Sequence, residues 1–233
     1  MIARIVTTDQ KGSLMRKKQV LILIIVALVV AIATACGVTS SATTPQQDQP
    51  NSPSNALFAA VSDAADQYVV SEFPNLQPVG KWFLIPQNMQ VRATCGTLYD
   101  TDVSYCPADN TVYVGEQLAS DALAGDGIIG LSTVLGIGLG EYVQLEYDGT
   151  PVAPPGMQAA DPLMIQADCY SGAFVRFLHQ NGGIGGDPLV YHPRQTYLAL
   201  EQARPAKAHN TVEERYLQYY MGAQNGTFVC DAH

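Results

Sequence analysis

The chain has 233 residues, 47% of them hydrophobic, with 12 Lys+Arg against 21 Asp+Glu and a formal net charge of −9 at pH 7. Five of the bases (Arg4, Lys11, Arg16, Lys17, Lys18) and one acid (Asp9) precede Cys36, which leaves seven bases against 20 acids and a net charge of −13 beyond it. Such a balance repels phosphate backbones and anionic lipid surfaces, so nucleic acid is excluded as a partner class.

The N-terminus is read as an address. Arg16, Lys17 and Lys18 precede an apolar run from Val20 to Ala35, the basic and hydrophobic regions of a secretory signal; Met15 opens that pattern neatly, which reads residues 1–14 as a mis-called start or an extension. The run ends in "ATAC", small residues before Cys36, and resembles a bacterial lipoprotein signal, which implies that Cys36 becomes the lipid-carrying first residue. An uncleaved anchor and a freely secreted product are the alternatives, and all three place the remainder outside the cytoplasm. Residues 1–35 are thus expected to be a signal peptide. Residues 36–55 are expected to be a lipidated cysteine and a flexible tether, because "GVTSSATTPQQDQPNSPSN" is rich in Ser, Thr, Pro and Gln and has no apolar period. Residues 56–233 are long enough for one domain with a sizeable core.

Within that domain, Leu57, Val61, Ala65, Tyr68, Val69 and Phe73 recur at helical spacing, and Pro74 ends the helix. "KWFLIPQNMQVRATC" predicts one or two short strands broken at Pro86, and "YCPADNTVYVG" a Pro-Ala-Asp-Asn turn leading into a strand. A short helix is expected over 118–124, with a break at Gly125-Asp126. From Ile128 the sequence is apolar nearly all round, which predicts a buried helix too short and glycine-rich to span a membrane. A Pro/Gly loop follows, then a helix from Pro162 to a glycine pair, then a helix opened by a Thr211/Glu214 capping box and closed at Gly226. The order predicts an α+β, helix-rich fold with a small strand region before its central helix.

Four cysteines remain after Cys36, an even number that suits two disulfides in an oxidising compartment. Of three pairings, Cys95–Cys106 closes a short loop across a hairpin-like segment, and Cys169–Cys230 would then pin the C-terminus to a central helix. Their long, irregular intervals with no CxxC argue against a zinc site.

The central helix contains "VLGIGLGEYVQ", in which Gly136, Gly138 and Gly140 fall at every second position. Each glycine costs a helix interior about 1 kcal/mol relative to alanine. Four motifs in order give this stretch a context: "ATCG…YCPADNTVYVGEQL", "VLGIGLGEYVQ", "MIQADCYSG" and "HNTVEERYLQYYMGAQNGTFVCD". Together they resemble the bacterial neutral zinc metallopeptidase family over roughly residues 61–231, and that resemblance implies a zincin-like fold and fits the cysteine pairing above. The family's metal-binding helix has the form AHExGHHVQ, and its next helix an ELQADCYAG-like segment.

A zincin site needs two histidines at i and i+4 on one helix face, a glutamate to polarise the attacking water, and a third ligand from another helix. Aligned on "YVQ", the resemblance puts the first histidine at Ile137, the catalytic glutamate at Gly138, the second histidine at Glu141, the family's adjacent histidine at Tyr142 and the third ligand at Met164; Asp168 is retained. Gly140 falls where the family already has glycine. An isoleucine offers no donor atom, a thioether is a poor zinc ligand, and one carboxylate does not hold zinc. No metal, cofactor or catalytic residue is therefore expected: the reading is a degenerate member without HExxH, a pseudopeptidase binding a peptide, protein or envelope partner while held at the membrane through Cys36. Glu141 with Glu146 or Asp168 is expected to survive as hydrogen-bonded support. One alternative is an active metallopeptidase with a relocated site, which needs His179, His192 or His209 to converge with Glu141 or Asp168. The other is a structural envelope lipoprotein, favoured if Ile137, Leu139, Tyr142 and Met164 fill the old cleft. Neither GxGxxG after a strand nor GxSxG is present.

Overall fold

A computed structural model describes residues 53–149, 161–185, 192–203 and 210–230, all within one unit of the chain spanning 49–233. The signal, Cys36 and most of the tether lie outside the described residues, as do His209 and His233.

The first helix, α1 (Pro53–Glu72), buries Phe58, Val61, Ala65, Tyr68 and Val69 at three- and four-residue intervals. The Phe73 amide donates to Val69, and Pro74, with no N–H, ends the run. The strands are β1 (Lys81–Ile85), β2 (Gln90–Ala93), β3 (Gly96–Tyr99), β4 (Val103–Cys106) and β5 (Thr111–Gly115). β5 lies between β1, parallel to it, and β4, antiparallel to it, with Trp82 and Tyr105 both opposite Val112. All five residues of this central strand are buried. The β4–β5 turn carries Asn110 at φ 47°, a left-handed conformation that asparagine tolerates better than most residues. β2 and β3 make a separate antiparallel hairpin, and β3 is a strand the sequence pattern had not marked.

The central helix, α2 (Glu116–Glu146), runs on where a break at Gly125-Asp126 was expected. The break comes at Gly127 instead, where φ 63° and ψ −148° are open only to glycine, and the helical path resumes beyond it. Asp126 stays in the helix, and its carboxylate accepts the Thr196 amide at 2.6 Å and hydroxyl at 2.8 Å, holding the start of α4 (Arg194–Ala203). That helix, too, was not read from the sequence. The other two are α3 (Asp161–Gln180) and α5 (Val212–Asn225), the latter with the Thr211/Glu214 capping box formed and Gly226 at φ 77° after its end. A short 3-10 turn, Thr227–Val229, follows.

The result is an α+β unit in which the second half of α2 is buried between the three-stranded sheet and α3, while α3 also packs on α5. Cys95 pairs with Cys106 and Cys169 with Cys230, with Cα atoms 5.8 and 5.6 Å apart. The first ties the β2–β3 hairpin to the end of β4; the second ties the turn after α5 to the middle of α3. Closing these loops removes about 3 and about 4 kcal/mol of chain entropy from the unfolded state.

Candidate functional site

The seam between α2 and α3 is where the sequence placed the degenerate metal site. Four small residues shape it. A Cβ added to Gly136 would stand 2.7 Å from Ser171 Oγ and 2.8 Å from its Cα, and one added to Gly140 would stand 2.7 Å from Ala167 Cα and carbonyl oxygen. Gly136 and Gly140 are four residues apart on one helix, and Ala167 and Ser171 are four apart on the other. Each pair therefore lies along one ridge, and the two backbones come together with no side chain between them. Polar bonds close the contact at both ends. Ser171 Oγ donates to the Thr133 carbonyl at 2.9 Å, and the Gln144 side chain donates to the Leu163 carbonyl at 2.6 Å.

Gly138 faces the other way, toward the sheet. Its hypothetical Cβ would lie 2.6 Å from Val112 Cγ1 and 3.2 Å from Val103 Cγ2. The position aligned with the general base thus has no room even for a methyl group. Ile137, aligned with the first histidine, is 2% exposed, and Met164, aligned with the third ligand, is 7% exposed. Leu139 and Tyr142 are also buried. All four residues that would have to fill the old cleft are inside the protein.

Glu141 is half-buried and engaged. Its Oε2 accepts the Tyr105 amide at 2.8 Å. Because β4 is an edge of the three-stranded sheet, this carboxylate satisfies a backbone donor that would otherwise face outward. The Tyr105 hydroxyl donates to Glu146 Oε1 at 3.2 Å, and its ring meets Tyr142 edge-on at 5.1 Å between centroids. The Tyr142 hydroxyl donates to the Gln77 carbonyl. Burial first, then the nearby Glu146 and Asp66 carboxylates, push the Tyr142 hydroxyl up to about 12.

Asp168 is fully buried and holds a charge partner rather than a metal-site residue. Arg215 on α5 donates to it twice, Nε to Oδ2 at 2.8 Å and Nη2 to Oδ1 at 2.7 Å, with both side chains 5% exposed or less. This is the two-pronged geometry that suits a guanidinium and a carboxylate. The Arg215 guanidinium also lies 5.1 Å over the Tyr197 ring. Burial alone would lower the Arg215 ionisation, but Asp168 outweighs it and holds the group above its ordinary range, with Glu141 adding to the effect. Burial and the Asp168 charge push the Tyr197 hydroxyl well up, so it stays protonated.

The histidines stand elsewhere. His179 is exposed in the last turn of α3, and His192 is exposed against the Tyr216 hydroxyl. His209 lies outside the described residues. Among the described residues no three His, Cys, Asp or Glu side chains gather where they could hold a metal ion. Among the described residues, the seam offers close packing and three hydrogen-bonded carboxylates. Comparison with family models, with curated proteins and with solved structures yields no match.

Sequence reasoning placed Ile137, Gly138, Glu141, Met164 and Asp168 near one another, and they do flank the α2–α3 seam and the adjoining strand β4. It missed what holds the two acids, namely the Tyr105 amide and Arg215. Arg215 had a usable signal: it is a basic residue at the end of the first turn of a helix in a strongly acidic domain, three residues after the buried Val212 and four before the buried Tyr219. A backbone amide has no sequence signal at all.

Proposed function

We propose that this chain is an extracytoplasmic, membrane-tethered relative of the zinc metallopeptidases that carries out no peptidase chemistry and acts through its exterior on a peptide, protein or envelope partner. The observation that carries the reading is the state of the aligned site: Ile137 and Met164 in the core, Gly138 against Val112, and Asp168 neutralised by Arg215. A zinc site needs an open coordination position and several ligands with free lone pairs. Here the space such a site would need is occupied by side chains that stabilise the fold. The two disulfides suit an oxidising compartment and support the export half of the reading. The lipid anchor rests on the Cys36 signal pattern alone.

The close contact of α2 and α3 at Gly136 and Gly140 also favours a purely structural envelope lipoprotein. The two readings part on whether the exterior binds anything. The test of the shared claim is metal content and proteolysis together. Full-length protein purified without chelator should contain far less than one zinc per chain and should leave casein and a mixed peptide library intact. One zinc per chain with chelator-sensitive cleavage would overturn it in favour of a relocated site built on His179, His192 or His209.

A further inference from the structure

Away from the seam, α1, α3 and α5 end close together around an open pocket of about 300 Å³. Its wall includes Tyr68 and Glu72 from the end of α1, Arg176 and Phe177 from the last turns of α3, Asn225 from the end of α5, and Phe228. Three of its features favour a positive occupant. Helix C-termini carry partial negative charge, and α1 has no basic residue in its last turn. The exposed Glu72 carboxylate has no ion pair or hydrogen bond among the described residues. Three aromatic rings line the site, and an aromatic face attracts a cation. The one opposing charge, Arg176, donates to the Gln224 carbonyl and so serves the end of α5.

Phe228 is 87% exposed, the most exposed large hydrophobic side chain among the described residues. It is not on a loose end: two residues later Cys230 is buried and bonded to Cys169 in α3. Leu217, at 54% exposed, and Met221, at 38%, precede it on the outer face of α5, four residues apart and in line with Asn225. An apolar stripe thus leads along α5 into a pocket that suits a cation. A free small amine would use the pocket and leave the stripe uncovered; a segment of polypeptide would use both.

We propose that this pocket receives the ammonium group of a lysine side chain from a partner protein whose neighbouring apolar residues lie along Leu217 and Met221. The net charge of −13 beyond Cys36 steers a basic segment toward the domain. This deepens the exterior-surface reading above and rests on it. The zinc and cleavage assays report on the seam, whereas the experiment here reports only on the end of α5, so either can fail without the other.

The test uses full-length chain in phosphatidylcholine nanodiscs, with methionine methyl groups labelled for NMR and the Met221 resonance as readout. The probes are acetyl-Leu-Lys-Leu-Leu-amide, the same peptide with norleucine for lysine, n-butylammonium and butyrate. The lysine peptide should shift Met221 saturably while the buried Met164 stays fixed. Glu72→Gln should weaken it about threefold and Phe228→Ala about fivefold, and the norleucine peptide should bind more weakly still. Four results would each overturn the proposal: no saturable shift, equal binding of the norleucine peptide, stronger binding of butyrate than of butylammonium, or butylammonium binding as tightly as the lysine peptide. The last would assign the pocket to a small amine. Both substitutions are at exposed positions, and unchanged circular dichroism separates lost binding from lost structure.

Discussion

The middle and the end of α3 show opposite uses of the same helix. In its middle, Ala167 and Ser171 are pressed against Gly136 and Gly140, leaving no room for a side chain between the two backbones. Near its end, Arg176 and Phe177 stand beside Phe228 with a pocket between them. The first region carries the pattern that resembles a catalytic helix and is closed; the second carries no recognised motif and is open. A motif position therefore says where a site would be, and only packing says whether there is room for chemistry there. Substitutions in the closed region should cost stability, whereas those at the open end should cost binding alone.

The largest effect is expected at Gly138, where the metallopeptidase resemblance aligns a catalytic glutamate. Gly138→Glu drives a carboxylate into Val112 and Val103 with no base or metal beside it, joining a steric clash to a buried unpaired charge. The expected loss is about 4 kcal/mol or more, read as a shift in the urea midpoint. A variant as stable as the parent would mean that the packing between α2 and the sheet can open.

Arg215→Ala follows, at about 3–5 kcal/mol, because it strands a fully buried carboxylate. The double change Asp168→Leu with Arg215→Met sharpens the point. If the pair matters chiefly because each member needs the other, the double variant recovers most of the stability lost in the single one. A double variant as weak as Arg215→Ala would instead assign the pair an indispensable role in ordering α3 against α5.

High pH should also cost stability. With the Tyr142 hydroxyl pushed up to about 12, the folded state keeps its proton where the unfolded chain, ionising near 10, gives it up. Stability contributed by this group is complete below pH 10 and falls as pH rises through 12, by about 1.4 kcal/mol per pH unit across that window. Tyr142→Phe should flatten the decline. Stability followed by denaturant titration between pH 9 and 12 would check it, and a decline unchanged in the variant would move the cause to other buried tyrosines such as Tyr105 and Tyr219.

Smaller again is Gly140→Ala. Alanine gains about 1 kcal/mol of helix propensity, but its methyl group meets the Ala167 backbone at 2.7 Å, an overpacking expected to cost about 1–3 kcal/mol. A net loss is expected for Gly140 because backbone cannot step aside. Gly136→Ala should be milder, since part of its contact is the Ser171 hydroxyl. A net gain at Gly140 would show that the helices can separate at little cost.

These glycines also show how much was legible in the sequence. Helix periods, the Pro74 stop, the Thr211/Glu214 box and the glycine ends fixed α1, α3 and α5 closely, because those signals are local. The break in α2 was expected at Gly125-Asp126 and falls at Gly127, while Asp126 is engaged by Thr196 of α4, a helix whose short apolar pattern went unread. Gly136 had no local explanation. It needed Ser171, 35 residues on and across a helix crossing, and such a partner is set by tertiary packing. The same holds for Arg215 with Asp168, and for the pocket itself, whose walls come from three separate helices and a disulfide-held turn.

The smallest expected change in stability is at that open end, and it is the most informative. Phe228→Ala removes the most exposed large hydrophobic side chain among the described residues, one that belongs to neither core cluster. Its unfolding midpoint should stay within about 0.5 kcal/mol of the parent. Natural surfaces do scatter single apolar residues without purpose, so exposure alone would mean little. What sets Phe228 apart is that a buried disulfide two residues away holds it in place beside a pocket. A loss of stability above 1 kcal/mol would show that the side chain packs in solution and that the pocket is closed there. An unchanged midpoint together with weakened peptide binding would show the opposite division of labour along α3: a middle devoted to holding the fold, and an end devoted to contact with something else.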